Sequence, residues 1–152
     1  MKNLKLIILL ILVFSLGTSI WYANDKIAKC SNGIFIGKKA SGTDVIEFRG
    51  IPYAQKPVGN LRWKPPVEAP ESNKISLAVK YNTMPLQNDL GQDYETFPKS
   101  EDCLRLNIWT KDLKTKNKPV MVYFHGGYYG WQGTASSLYN GKYLVNEYKY
   151  HL

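Results

Sequence analysis

Residues 118–127 read KPVMVYFHGG. Five consecutive apolar residues, at 120–124, run directly into His125, Gly126 and Gly127. The run has no polar alternation, so it predicts a strand buried on both faces. Without neighbours, such a strand exposes unpaired N–H and C=O groups and a bare apolar face. A chain that cannot supply those neighbours is expected to fold poorly by itself. The glycines that end the run allow positive φ and a close backbone approach to a ligand.

The chain has 152 residues, enough for one ordinary domain. Hydrophobic residues make up 44% and charged residues 21%, which excludes general disorder. The net charge of +8 raises the question of nucleic acid or an anionic membrane. The lysines are dispersed, however. The one local cluster, TKDLKTKNK at 110–118, lies between two strand-like segments and reads as a solvated loop. No nucleic-acid partner is expected.

The N-terminus begins MKNLK and continues LIILLILVFSLGTSIW, a cationic start followed by an apolar run. This is the pattern of an export signal, assigned to residues 1–23. Gly17 and Ser19 suit a signal peptidase, whereas Trp21, two residues before Ala23, does not. The apolar run is also close to the lower limit for spanning a bilayer. Residues 6–22 therefore read either as a cleaved signal or as a membrane anchor, with Lys2 and Lys5 on the cytoplasmic side. Both readings place residues 24–152 outside the cytoplasm.

Two cysteines, Cys30 and Cys103, could pair in an oxidising compartment, but their spacing does not show that they meet. Two histidines and no clustered acids predict neither a metal site nor a cofactor. KCSNGIFIG reads as a hairpin turning at Asn32-Gly33. DVIEFRGIPYA reads as a strand that ends at Gly50 and Pro52. The proline-punctuated stretch 52–70 is expected to be held by Tyr53, Leu61 and Trp63, or else to serve as a proline-rich ligand. Residues 82–99 lack a period and read as surface loop. In CLRLNIWT, Leu104, Leu106 and Ile108 alternate with Arg105, Asn107 and Trp109, as in a strand with one buried face. SSLYNGKYLVNEYKY predicts a short helix with Leu138, Leu144 and Val145 inward, weakened by Gly141.

Three segments, FRGIPYAQKPVGNLRWKPP, SEDCLRLNIWT and KPVMVYFHGG, stand in an order and at separations that resemble the type-B carboxylesterase/lipase family. YNGKYL at 139–144 fits the same region, in which the cholinesterase branch has a similar phrase. The resemblance covers about residues 27–144. It implies an α/β-hydrolase fold, here its N-terminal part: a small antiparallel sheet plus the first strands of the central mixed sheet. Residues 24–152 would be a partial domain of that type. The tail NEYKYHL departs from the family pattern where a valine-rich strand is expected.

The family hydrolyses carboxylic esters of small molecules with a serine, an acid and a histidine. The serine lies in a G-x-S-x-G turn, which does not occur in these 152 residues. The resemblance therefore implies an exported ester hydrolase represented by its oxyanion-hole segment and not by its triad. It would be inactive alone, or completed by a second polypeptide carrying the serine. The alternative is a non-catalytic binding or adhesion protein on the same fold. By position, the oxyanion donors would be the N–H groups of Gly127 and Tyr128, with Gly126 shaping the turn. Tyr128 stands where the family has a third glycine. Arg62 and Glu101 match a family ion pair, expected to be partly buried. Cys103 matches a disulfide cysteine whose family partner falls near Met84, leaving pairing with Cys30, pairing outside the chain, or a free thiol.

Overall fold

The computed structural model describes residues 25–88 and 97–148. The expected export segment lies outside these residues, so the model does not bear on it. Among the described residues no helix is long and apolar enough to cross a membrane.

Among the described residues, six strands form two three-stranded sheets. The first sheet has the order β1-β2-β5, from Ile27–Cys30, Gly33–Ile36 and Ile75–Leu77. The second has the order β3-β4-β6, from Lys38–Lys39, Ile46–Pro52 and Arg105–Thr110. β1 and β2 form the expected hairpin, one residue out of register from the sequence reading. Cys30 pairs with Gly33, so Ser31 and Asn32 make the turn. The Asn32 amide is instead spent on the Pro52 carbonyl, 2.7 Å away. β5 adds to β2 in parallel, making the first sheet mixed.

β4 is the centre of the fold. It does not stop at Gly50 but bulges through it, shifting register between Phe48 and Ile51 before ending at Pro52. Gly50 has φ 70, and its N–H donates to Asn107 Oδ1 at 2.9 Å in place of a ladder bond. A left-handed residue inside a strand is the use that glycine serves best.

Both faces of β4 are covered. On one face, Phe35, Ile46, Phe48, Ile51 and Ala78 form a buried cluster that joins the two sheets. On the other, Ala40, Val45, Trp109 and Val145 pack together. Val145 belongs to α1, Lys142–Tyr148. This corrects the reading of β6 as a strand with one buried face. Trp109, read as outward, is 5% exposed because α1 covers that side, whereas Ile108 is 37% exposed. Glycine does not weaken the helix, since α1 starts after Gly141, with Asn140 Oδ1 accepting the Lys142 N–H at 3.1 Å. Leu138, expected inward, lies in a separate 3₁₀ turn and is exposed.

The proline-rich segment is held by backbone pairing and not by aromatic packing. Ala54 bridges Glu68, and Gln55 N–H donates to Val67 O at 2.8 Å. Trp63 is 90% exposed beside the Arg62 guanidinium. The loop read at 82–99 is closed at its base, where Met84 bridges Lys99.

The largest departure concerns residues 120–124. They form no regular strand, and residues 121–126 lie in no ladder. All five apolar side chains are exposed, Phe124 to 86%. The composition of a doubly buried strand is present, but among the described residues no strand neighbours it.

Candidate functional site

The chain that leaves the exposed ribbon turns sharply. Gly127 O accepts the N–H groups of Gly130 at 2.9 Å and Trp131 at 3.2 Å. Tyr128 and Tyr129 sit at the centre of this turn with φ 53 and 59. Two successive left-handed residues normally select Asn or Gly, so two tyrosines there carry strain. Both side chains project into solvent. Gly127 itself has φ 118. Among the described residues the N–H groups of Gly127 and Tyr128 donate to nothing. His125 Nδ1–H donates to Gly126 O at 2.7 Å, and its ring stacks on Tyr139 with centroids 6.0 Å apart.

The exit of the turn is clamped to the scaffold. Gln87 Nε2 donates to Gln132 O at 2.9 Å, and Asn107 Nδ2 donates to Thr134 O at 3.0 Å. The Tyr139 hydroxyl donates to Gln132 Oε1. Met84 packs against Gly133. Asn107 therefore ties the β4 bulge to the glycine turn through its two amide atoms. Sequence reasoning placed Asn107 merely on an outer face. The signal available was its position as a polar residue in a strand otherwise rich in apolar ones.

A cleft of about 960 Å³ lies beside the turn, lined among others by Tyr53, Met84, Leu86, Cys103, Gly126 and Tyr128. It brings Gly126, Tyr128 and Cys103 to one place. Burial raises the Cys103 thiol above its ordinary pKa, and the charges of Glu101 and Asp102 add to the effect. Burial raises the Tyr53 phenol, with Cys103 contributing. Cys30 and Cys103 are both free thiols, Cys30 exposed and Cys103 half-buried. In place of a disulfide at residue 84, hydrogen bonds hold the neighbouring loop: Thr83 Oγ1 donates to Asp102 O at 2.7 Å.

Arg62 meets Glu101 side-on, Nε to Oε2 at 3.2 Å and Nη2 to Oε1 at 3.3 Å. The side chains are 52% and 33% exposed, so the burial is on the Glu101 side. More deeply buried carboxylates lie elsewhere. Glu47, 2% exposed, binds Arg49 at 2.8 Å and Lys38 at 3.4 Å. Asp102 binds Lys56 and Arg105, each at 2.9 Å.

Comparison with known proteins bears on this geometry. The family model described as "Carboxylesterase family" matches residues 24–150. Mouse cholinesterase is 41% identical over 116 residues, spanning 68% of this chain and 19% of that protein. Para-nitrobenzyl esterase of Bacillus subtilis (strain 168) is 41% identical over 114 residues, spanning 70% of this chain and 23% of its own length. Among solved structures, a thermophilic PNB esterase superposes with a TM-score of 0.75 at 30% identity, covering 84% of this chain and 26% of that one. A Geobacillus stearothermophilus carboxylesterase superposes with a TM-score of 0.73 at 27% identity, covering 83% and 25%. The chain thus spans about a quarter or less of the length of these relatives. The two small sheets and the glycine turn are the N-terminal portion of an α/β-hydrolase fold, and the chain belongs to the carboxylesterase family.

Proposed function

We propose that this chain supplies the oxyanion half of an ester-hydrolysing site. The observation that carries the reading is the pair of backbone N–H groups, at Gly127 and Tyr128, that have no acceptor among the described residues, with Gly126 and Tyr128 lining the cleft. Attack on an ester carbonyl builds negative charge on its oxygen, and fixed N–H donors stabilise that charge. Gly126 and Gly127 shape the backbone, and the clamps at Gln132 and Thr134 hold the turn in place before any ligand arrives. The substrate class is a small carboxylic ester, a reading supported by the likeness to para-nitrobenzyl esterase.

The nucleophile belongs to a G-x-S-x-G turn, which these 152 residues do not contain. Donors without a nucleophile stabilise a charge that never forms. The chain alone is therefore inactive. In p-nitrophenyl acetate hydrolysis, the full chain should give no rate above a His125→Ala, Gly127→Pro double variant. Turnover abolished in that variant would overturn the half-site reading. The cationic start and apolar run of residues 1–23 support export, with cleavage or retention as an anchor to be read from the N-terminal sequence of the purified protein.

A further inference from the structure

We propose that, independently of the half-site, the lysine loop at 110–118 and the outer face of α1 form a docking surface for an anionic lipid bilayer. In sequence the loop is a solvated run of cations; the fold seats it beside the helix. Lys111 Nζ donates to the carbonyl of Asn146, near the end of α1, at 2.7 Å. Lys142 Nζ, at the start of α1, donates to the Ser41 carbonyl at 3.4 Å. Loop and helix together carry five lysines, at 111, 114, 116, 118 and 142, against Asp112 and Glu147. Asp112 is spent inside the loop. Its Oδ1 accepts the N–H groups of Lys114 and Thr115, each at 2.8 Å, and its Oδ2 binds Lys118 Nζ. Those bonds fix the loop backbone, on which Lys114 and Lys116 are exposed.

Two observations select the occupant. Exposed apolar and aromatic side chains interleave with the cations: Leu113 in the loop is 39% exposed, and Tyr143 and Tyr148 on α1 are 67% and 59% exposed. The Lys142 ammonium lies 4.6 Å from the centre of the Tyr143 ring. A soluble polyanion offers such groups no apolar medium. A bilayer of acidic lipids offers both anionic headgroups for the lysines and an interface in which tyrosine and leucine settle. The start of the described chain points the same way. Gly37 N–H donates to Lys26 O at 2.8 Å, and Ser41, the acceptor of Lys142, is four residues further on. Four residues span at most about 14 Å. The chain therefore enters the described fold near this face, and residues 6–22, retained as an anchor, would hold it at the bilayer.

The test presents the full chain to phosphatidylglycerol vesicles and, separately, to phosphatidylcholine vesicles. The ratio of the two partition coefficients cancels the apolar insertion common to both and reads the charged surface. It should be on the order of a hundred near ~0.1 M salt and fall toward one near ~1 M. A Lys114→Gln, Lys116→Gln, Lys142→Gln triple variant should lower the ratio at least about tenfold, with circular dichroism matching the parent. Acetylation of the bound parent chain, read by mass spectrometry, should be suppressed at Lys114 and Lys116 on phosphatidylglycerol and not on phosphatidylcholine. Lys64 and Lys74, exposed elsewhere on the fold, should stay labelled on both. Equal partition into the two vesicles, a ratio unchanged in the triple variant, or protection spread evenly over all lysines would overturn the proposal. Heparin that protects Lys114 and Lys116 where phosphatidylglycerol vesicles do not would assign the surface to a soluble polyanion and overturn it as well.

Discussion

A β-carbon placed on Gly127 would stand 2.1 Å from the carbonyl oxygen of Trp131. That separation is backbone against backbone, so no rotamer change relieves it. Gly126, one residue earlier, has nothing within 4 Å of the same position. Gly127→Ala should therefore open the turn, with loss of amide protection at Gly130 and Trp131, whose N–H groups bind Gly127 O. Gly126→Ala should leave both protected. Hydrogen exchange of the two variants checks the contrast, and equal protection would show that the turn is not built as described.

Tyr128 and Tyr129 hold left-handed backbone with exposed side chains, so strain is present without compensating burial. A left-handed L-residue costs roughly 1–2 kcal/mol, whereas glycine adds about 0.5–1 kcal/mol of entropy on folding. Tyr128→Gly should leave stability unchanged or raise it by up to about 1 kcal/mol. Tyr128→Ala keeps the strain and should not stabilise. Urea denaturation of the pair decides, and a stabilising alanine would refute the assignment to strain.

The ion pairs should rank by exposure, not by motif. Arg62 is 52% exposed and its partner Glu101 33%, so Arg62→Ala should cost no more than about 1 kcal/mol. Glu47 is enclosed with Arg49, and Glu47→Ala should cost roughly 3–5 kcal/mol by leaving a partly buried guanidinium uncompensated. Chemical denaturation that reversed this order would contradict the packing around β4.

Asp102 gives the pH dependence a definite sign. Burial raises its carboxyl pKa, but the hydrogen bonds and charges of Lys56 and Arg105 outweigh burial and hold it below the ordinary carboxylate value. A folded-state pKa lowered in this way stabilises above the unfolded value, near about 3.9, and the benefit is lost as pH falls through the lower one. Asp102→Asn should be destabilised at pH 7, and the difference should begin to shrink below about pH 4 and vanish only below the lowered folded-state pKa. A stability difference that persisted unchanged into strong acid would exclude this role.

Local pattern made β4, the β1–β2 hairpin and β6 legible, because turn chemistry and strand composition are properties of neighbours in sequence. The register of the turn at Ser31-Asn32 was missed because the Asn32 amide is used on Pro52, 20 residues away. The burial of Trp109 depends on α1 crossing the second face of the sheet, a long-range event that alternation within β6 cannot encode. Residues 120–124 show the converse. Their composition states what surrounds such a strand, but the described residues place none of those neighbours against it. At the site, the glycines were legible from the motif. The clamps through Gln87 and Asn107 were not, since each joins segments distant in the chain, and the phrase YNGKYL does not encode the bond of the Tyr139 hydroxyl to Gln132.

The half-site claim is tested most directly where a nucleophile is already present. Residues 118–134 of this chain, grafted in place of the matching segment of Bacillus subtilis para-nitrobenzyl esterase, should support hydrolysis of p-nitrophenyl acetate. Gly127→Pro in that graft removes one N–H and imposes negative φ. It should lower kcat roughly 10²–10³-fold with KM little changed, the loss expected when a donor to the oxyanion is removed. A graft in which Gly127→Pro leaves kcat intact would contradict the account.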